Sequence, residues 1–129
     1  MTWLLLLLLA GPAAAAVLDA KTSPVGTLTP SAQTANGATA NSLKFGTTAK
    51  FRAVVFTLRN TAGTATGELQ INCTGNAADW AIVTNGTKTV SVGAITYDVM
   101  YPACEYRMNF NPCTSCSAIV SYTVLPEMQ

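Results

Sequence analysis

The sequence contains no histidine, and charged residues make up only 10% of its 129 positions. Histidine is the commonest general base and the commonest metal ligand in proteins, so its absence removes every Ser-His and Cys-His nucleophile arrangement. The seven lysines and arginines nearly balance the six aspartates and glutamates, without a basic cluster. Nucleic-acid binding requires such a cluster, because basic side chains must displace counterions from phosphates. We therefore expect a protein that is not an enzyme and has no nucleic-acid partner.

Charge is also missing from the amino-terminal end, where the first eighteen residues have no ionisable side chain. An apolar run at residues 3–10 is followed by small residues at 11–16, which is the pattern of a secretory signal peptide cleaved after Ala16. The alternative is a retained membrane anchor, since residues 1–18 would form roughly 27 Å of helix against a hydrocarbon core of about 30 Å. Either interpretation predicts an extracytoplasmic protein, in the periplasm, at the cell surface or secreted. Membrane contact is expected only if residues 1–18 are retained.

The next segment, residues 17–42, is poor in large apolar side chains. From residue 19 onward only Val25 and Leu28 are of this kind, among many Thr, Ala, Ser, Asn, Gly and Pro. Such a stretch cannot bury enough surface to offset the entropy of ordering it. It is predicted to be a polar linker or extended arm. If it is ordered, a sheet edge of this domain or of a neighbouring subunit must cover it.

From Leu43 the apolar residues recur with a period of two, between Gly, Asn and Thr punctuation, and no helical period is present. This pattern indicates antiparallel strands with one buried face. The pattern predicts one all-β domain at 43–129, an immunoglobulin-like antiparallel β-sandwich of about seven strands. The predicted inward positions are Val54, Phe56, Leu58, Leu69, Ile71, Cys73, Trp80, Ile82, Val90, Val92, Ile95, Tyr97, Val99, Tyr101, Cys104, Tyr106, Met108, Phe110, Ala118, Val120, Tyr122 and Val124.

The sequence has four cysteines, and in a short exported chain four cysteines indicate two disulfides. Three connectivities are possible. The pairing we favour joins Cys113 to Cys116 across the turn between the last two strands. Cys73 and Cys104 then form the second bridge, since both fall at inward positions by parity.

Cys113-Thr-Ser-Cys116 could instead be a metal clip or a redox pair. Structural zinc requires four ligands, and only Cys73 and Cys104, which are not a second closely spaced pair, could complete the set. Cu(I) favours thiolates and thioethers, and a copper site would add methionines to the pair. A thioredoxin-like pair needs a helix amino terminus to lower a thiol pKa, whereas the flanks here are strand-like. We therefore predict no metal and no cofactor. The residues of the copper alternative are Cys113, Cys116 and Met108, with Met100 and Met128 nearby in sequence.

Four pieces of the chain carry a family resemblance: LKFG at 43–46, FTLRNTAGTATGELQI at 56–71, CEYRMNFNP at 104–112 and SYTV at 121–124. In this order they resemble the immunoglobulin-like domains of the abnormal-spindle and hydin type, and most closely the bacterial exported choice-of-anchor domains. The resemblance implies a seven-stranded sandwich that serves as a spacer, adhesive or assembly module, with no catalytic centre. The chain departs from the family after Pro112, where a Gly-rich turn is usual and the two cysteines stand instead. Pro112 is expected to end its strand.

These observations predict a non-enzymatic structural or interaction subunit of an extracytoplasmic assembly. The assembly would be a surface filament or envelope, or a membrane complex with this chain as an external subunit. The partners would be other protein subunits or further copies of this chain. Sheet edges, loops and the arm at 17–42 would make the contacts. The alternative function is a small exported Cu(I) or thiol-redox protein that uses Cys113 and Cys116.

Overall fold

A computed structural model describes residues 15–46 and 50–127. The expected leader at 1–16 lies outside the described residues except for Ala15 and Ala16. Within the described ranges there is no helix, and so none long and apolar enough to cross a membrane. The ten strands are β1 (Val17–Asp19), β2 (Val25–Thr27), β3 (Gly37–Ala38), β4 (Ser42–Phe45), β5 (Phe51–Asn60), β6 (Thr64–Asn72), β7 (Ala81–Val90), β8 (Gly93–Met100), β9 (Cys104–Thr114) and β10 (Ala118–Pro126).

Two sheets pack against each other around one apolar core. Sheet A has the order β1-β4-β9-β6-β7, with β3 also paired to β9, and sheet B has the order β2-β10-β5-β8. All neighbouring strands are antiparallel except β1 and β4, which are parallel. The predicted all-β sandwich is therefore confirmed.

The strand order within that sandwich is that of a jelly roll. Apart from β1 and β3, the first strand pairs with the last, β2 with β10, and the successive inner pairs are β4–β9, β5–β8 and β6–β7. A jelly roll is this ribbon of strand pairs wrapped into two sheets. An immunoglobulin domain keeps its last two strands in one sheet, whereas β9 and β10 lie in different sheets. The immunoglobulin-like arrangement is thus corrected, because a period of two shows which face of a strand is buried and not which strand lies beside it.

The segment 17–42 lies on the sandwich and contributes strands to both sheets. β1 pairs with β4, β2 with β10, and β3 with β9. Ala20 and Leu28 have no exposed surface. The backbone N–H of Leu28 donates to the carbonyl of Val120 at 2.8 Å. Sheet edges of the same chain therefore cover the segment, which satisfies its backbone groups despite its polar composition.

The predicted inward positions are confirmed on three strands that run through the middle of the sandwich. Alternate side chains of β5, β9 and β10 point into the core, and each is at most 5% exposed. The aromatic rings among them meet across the two sheets, with centroids 5.9 Å apart for Phe56 and Tyr106. These core positions are Val54, Phe56, Leu58, Tyr106, Met108, Phe110, Ala118, Val120, Tyr122 and Val124.

Five predicted inward positions are wrong. Trp80 precedes β7 and lies over the outer face of sheet A. The other four fail because the alternation holds only while a strand continues without a bulge. Cys73 is exposed just past the end of β6, and Val92 is 72% exposed in the turn between β7 and β8. Tyr101 is 75% exposed immediately after β8, where its φ of 49° turns the chain. Ile82 is 48% exposed, because β7 has four residues, 83–86, opposite the single residue Leu69 of β6. The predicted inward positions Ile82 and Val90 thus lie on one strand, β7, on opposite sides of this bulge.

The predicted strand end at Pro112 is also wrong, since β9 continues to Thr114. Ala65 pairs with Cys113 and Gly67 with Phe110, so two residues of β9, Asn111 and Pro112, lie opposite one residue of β6. A β-bulge of this kind accepts proline because the missing N–H is not needed for the ladder. β9 therefore leads directly into the turn that holds Cys113 and Cys116.

Asn60 joins the turns at one end of the sandwich. Its side chain is 1% exposed. Nδ2 donates to the carbonyls of Gly63 and Ser91 at 3.2 and 2.7 Å, and Oδ1 accepts from the N–H of Ser117 at 3.0 Å. These partners lie in the β5–β6, β7–β8 and β9–β10 connections. One buried amide thus satisfies backbone groups of three turns that cross between strands.

Candidate functional site

The four cysteines lie in two pairs at disulfide distance. Cys73, after β6, and Cys104, at the start of β9, have Cα atoms 4.8 Å apart. Cys113 and Cys116 have Cα atoms 5.2 Å apart and flank the crossing from sheet A to sheet B. The second pair is the less accessible one, since Cys116 is only 3% exposed while Cys73 is exposed. Neither pair leaves a free thiol.

The residues of the copper alternative do not converge. Met108 is fully buried in the core, whereas Met100 is 60% exposed on the other sheet. Met108 and Cys113 share β9 but are five positions apart, roughly 16 Å along a strand. Met128 lies outside the described residues. Within residues 15–46 and 50–127, no three His, Cys, Asp or Glu side chains are grouped closely enough to hold a metal.

The outer face of sheet A carries charged side chains that already have partners. The carboxylate of Glu68 accepts from Asn109 Nδ2 at 2.8 Å, and Ser42 donates to Glu105. Arg107 Nε donates to the side-chain oxygen of Gln70 at 2.7 Å. These pairs sit on adjacent strands β4, β9 and β6. The exposed Lys44 of β4 shares this face and has no partner among the described residues.

Trp80 belongs to the same face and not to the core. It precedes β7, is half-buried, and its ring centroid lies 4.2 Å from the guanidinium carbon of Arg107. Partial burial lowers the pKa of Arg107, and the nearby carboxylate of Glu105 opposes that shift. A cation over an aromatic face is favourable, so this contact holds the arginine against the sheet.

A cleft of about 430 Å³ lies beside the Cys73–Cys104 bridge. Its polar lining includes Lys44, Thr74 and Glu105. The Thr74 hydroxyl donates to Asp79 at 2.7 Å, and Glu105 accepts from Ser42. The Thr74 hydroxyl and the Glu105 carboxylate of the cleft are thus used by the fold.

Three tyrosines of the core have hydroxyl groups that are also used by the fold. Tyr97 and Tyr122 donate to the carbonyls of Gly67 and Ser23 at 2.7 and 2.8 Å, and Tyr106 accepts from the N–H of Ala103 at 3.2 Å. Burial raises the pKa of all three phenols. For Tyr97 and Tyr106, hydrogen bonds to the backbone near Lys88 and Ala103 partly oppose that rise.

The two longest open edges of the sandwich are β7 in sheet A and β8 in sheet B. Both are terminal strands, and among the described residues no further strand pairs with either. The edge of β7 is interrupted by the bulge at 83–86, with Asn85 at φ 59°. β8 pairs with β5 along all eight of its residues without a register shift. β8 is therefore the unbroken edge.

One lysine lies over that edge. Lys88 of β7 donates from Nζ to the carbonyl of Thr96 at 2.8 Å, and the same ammonium lies 5.3 Å from the ring centroid of Tyr97. The Thr96 carbonyl accordingly faces away from β5. Since N–H and C=O of one residue point to the same side of an antiparallel strand, the N–H of Thr96 is also directed outward.

The outer face of sheet B contrasts with that of sheet A in charge. The outer face of sheet B is defined as the outward positions of β2, β10, β5 and β8. Ser121 pairs with Thr27 and Thr57, and Thr57 pairs with Thr96, so one row of hydroxyl groups crosses all four strands. Among the outward positions of these strands only Arg59 and Asp98 are charged. The other positions are Val25, Ile119, Thr123, Leu125, Ala53, Val55, Ala94 and Met100.

Comparison of the chain with protein-family models and with curated proteins finds no match. Sequence reasoning pointed to the cysteines and to sheet edges in general. It missed the β8 edge and the sheet B face, although the runs of Thr, Ser and Val at outward positions of β5, β8 and β10 were a visible signal.

Proposed function

We propose that this chain is a non-enzymatic interaction subunit of an extracytoplasmic assembly and that a partner strand adds to the β8 edge. The partner is another protein subunit of a filament, an envelope layer or the external part of a membrane complex. The observation that carries the proposal is the unbroken eight-residue edge of β8 at the end of sheet B. An exposed sheet edge takes up extended peptides through main-chain hydrogen bonds.

Two further features support this role. The disulfide pairs favour an oxidising compartment. Thr74 in the cleft and Glu68, Glu105 and Arg107 on sheet A are hydrogen-bonded within the fold. Jelly rolls serve as building blocks of viral capsids and as lectin domains. That analogy lies at the level of the fold and assigns no partner. The resemblance to choice-of-anchor domains points to the same class of function, although the strand order differs from the immunoglobulin arrangement.

The edge is tested with two variants of one residue. Thr96→Pro removes the outward N–H and is compatible with an edge strand, while Thr96→Ala removes only the side-chain hydroxyl. With tagged full-length chains produced in the native host, we expect wild type and Thr96→Ala to sediment in a large envelope-associated complex. Thr96→Pro should be released as the free chain. Wild type that sediments as the free chain would contradict the assembly role.

Thiol counting on unreduced protein, together with metal analysis, separates the proposal from the metal or redox alternative. The disulfide-linked interaction module has no free thiols and no bound metal. Two reactive thiols at Cys113 and Cys116, or bound copper, would favour the alternative.

A further inference from the structure

We infer that the outer face of sheet B binds the same face of a second copy of this chain, in a two-fold dimer that pairs Arg59 of each copy with Asp98 of the other. This inference rests on the proposed interaction role but uses a sheet face in place of the β8 edge. The partner is a second copy because the two charges of the face are opposite in sign and complement each other.

The two charged side chains of this face lack partners among the residues that the structure describes. Both are exposed, and neither makes a hydrogen bond or ion pair with another described residue. On sheet A, by contrast, Glu68, Glu105 and Arg107 are all engaged by neighbours. The two faces therefore differ: Glu68, Glu105 and Arg107 on sheet A are engaged by neighbours and Lys44 is the exception among the described residues, whereas both charges of sheet B are unpaired. The rest of the sheet B face consists of small hydroxyl and aliphatic side chains.

Strand register places the two charges suitably for self-pairing. Arg59 of β5 pairs with Ala94 of β8, whereas Asp98 pairs with Val55. The charges are thus one strand apart and four residues apart along the strand, roughly 5 by 13 Å. A two-fold axis that lies in the interface rotates one copy onto the other. If residue i of the first copy meets residue j of the second, residue j of the first copy therefore meets residue i of the second. An axis through the midpoint between Arg59 and Asp98, perpendicular to the line that joins them, forms both ion pairs at once.

That axis runs close to the hydroxyl row. Thr57 and Thr96, the members of the row beside the midpoint, then face the same two residues of the other copy. Hydroxyl groups suit such an arrangement, because each can donate or accept a hydrogen bond. The same operation places Ile119, which is 43% exposed, opposite Val55 of the second copy. Aliphatic side chains thus meet aliphatic side chains, and charges meet opposite charges.

The area available sets the strength that we expect. The outer face of sheet B is four strands wide and extends over the four outward positions of β5, which gives roughly 19 by 20 Å. This is a small interface, within the range of weak and transient complexes. We therefore expect a dimer that dissociates on dilution. It should weaken as salt is added, since part of its specificity comes from partly exposed ion pairs.

Sedimentation velocity of the purified full-length chain, over a hundredfold range of concentration, tests the inference with charge reversals. Arg59→Asp places two acidic pairs in the interface and Asp98→Arg places two basic pairs, so each variant alone should dimerise at least about tenfold more weakly than wild type. An equimolar mixture of the two should form a heterodimer, because every pair is again of opposite sign. The double variant Arg59→Asp/Asp98→Arg should dimerise as wild type does.

Lys44→Asp is the matched control, since it makes the same charge change on the outer face of sheet A and should leave the dimer unchanged. Recovery in the mixture excludes misfolding as the cause of the single-variant defect. A wild-type chain that stays monomeric throughout, or single variants that dimerise like wild type, would overturn the inference. Failure of the dimer can be distinguished from failure of the proposed function. If the pure chain stays monomeric but still sediments with its native complex, the dimer is excluded and the β8 edge proposal stands.

Discussion

Asn60 shows how one residue can decide the geometry of a whole end of the molecule. A buried amide is unfavourable unless its donors and acceptor are satisfied. Here the surrounding turns supply carbonyls from Gly63 and Ser91 and an N–H from Ser117. Those backbone groups in turn depend on the amide, because they lie in connections outside the sheet ladders.

Replacing Asn60 by alanine should lower the free energy of unfolding by about 2–4 kcal/mol, since several backbone groups lose their partner together. The matched control is Asn76→Ala, because the Asn76 side chain is exposed and accepts only the N–H of Ala78. We expect the control to cost less than about 1 kcal/mol. Urea unfolding measures both. Equal losses for the two variants would mean that Asn60 does not join the turns as described.

The ionisable residues also predict how stability depends on pH. No histidine is present to titrate near neutrality. Burial raises the pKa of Tyr97, Tyr106 and Tyr122. A raised pKa in the folded state means that the tyrosines contribute their full stability below the ordinary tyrosine pKa of about 10 and lose it as the pH rises further.

We therefore expect the free energy of unfolding to fall above about pH 10. Absorbance of tyrosinate, followed together with circular dichroism, should show part of the tyrosine ionising only as the chain unfolds. Tyr97→Phe should reduce the alkaline slope while lowering stability at neutral pH, because the hydrogen bond to Gly67 is lost. Full tyrosine ionisation in the folded protein would argue against these buried phenols.

At the scale of elements, the polar segment 17–42 is part of the fold because it completes sheets that would otherwise have open edges. β2 covers β10, and the N–H groups of Leu28 and Gln33 donate to the carbonyls of Val120 and Ala118, which precede the paired residues of β10. Leu28 is the one large side chain of the segment that enters the core completely. A few contacts of this kind suffice, since main-chain hydrogen bonds do most of the positioning.

Leu28→Ala should destabilise the domain by about 2–5 kcal/mol, the usual range for truncating a fully buried leucine. Val25→Ala, in the same arm but 67% exposed, should change stability by no more than about 0.5 kcal/mol. Thermal or urea unfolding compares the two. If both truncations are neutral, the arm does not contribute to the cooperative unit.

At the scale of the whole molecule, the jelly-roll pairing makes contacts between distant parts of the chain. β2 near the start pairs with β10 near the end, and the two disulfide pairs lie at opposite ends of β9. Cys73 and Cys104 are 31 residues apart in sequence, whereas Cys113 and Cys116 are 3 apart. Loop closure removes more entropy from the unfolded chain when the loop is longer.

Cys73→Ser/Cys104→Ser should therefore lower the free energy of unfolding by roughly 3–4 kcal/mol, and Cys113→Ser/Cys116→Ser by about 2 kcal/mol. Both double variants are compared with wild type by urea unfolding under non-reducing conditions. A larger loss from the second pair would show that its role at the crossing between sheets outweighs loop length.

Much of the core was predictable because a strand exposes alternate side chains to alternate faces. Phe56, Tyr106 and Tyr122 are buried where that local rule puts them. The alternation rule failed at Ile82 and Pro112, where β-bulges insert residues that the apolar period of two does not predict. The β8 edge and the sheet B face were not predictable in detail, because a terminal strand has the same local pattern as a central one.

The sequence by itself determined the all-β class and the buried face of β5, β9 and β10, since both follow from side chains a few positions apart. It also determined that no histidine-based chemistry is available. Only the tertiary structure decided that β10 joins sheet B, that the arm completes both sheets, and that Arg59 and Asp98 share one face. These outcomes depend on which distant segments satisfy each other's backbone groups, and that pairing is a property of the whole chain.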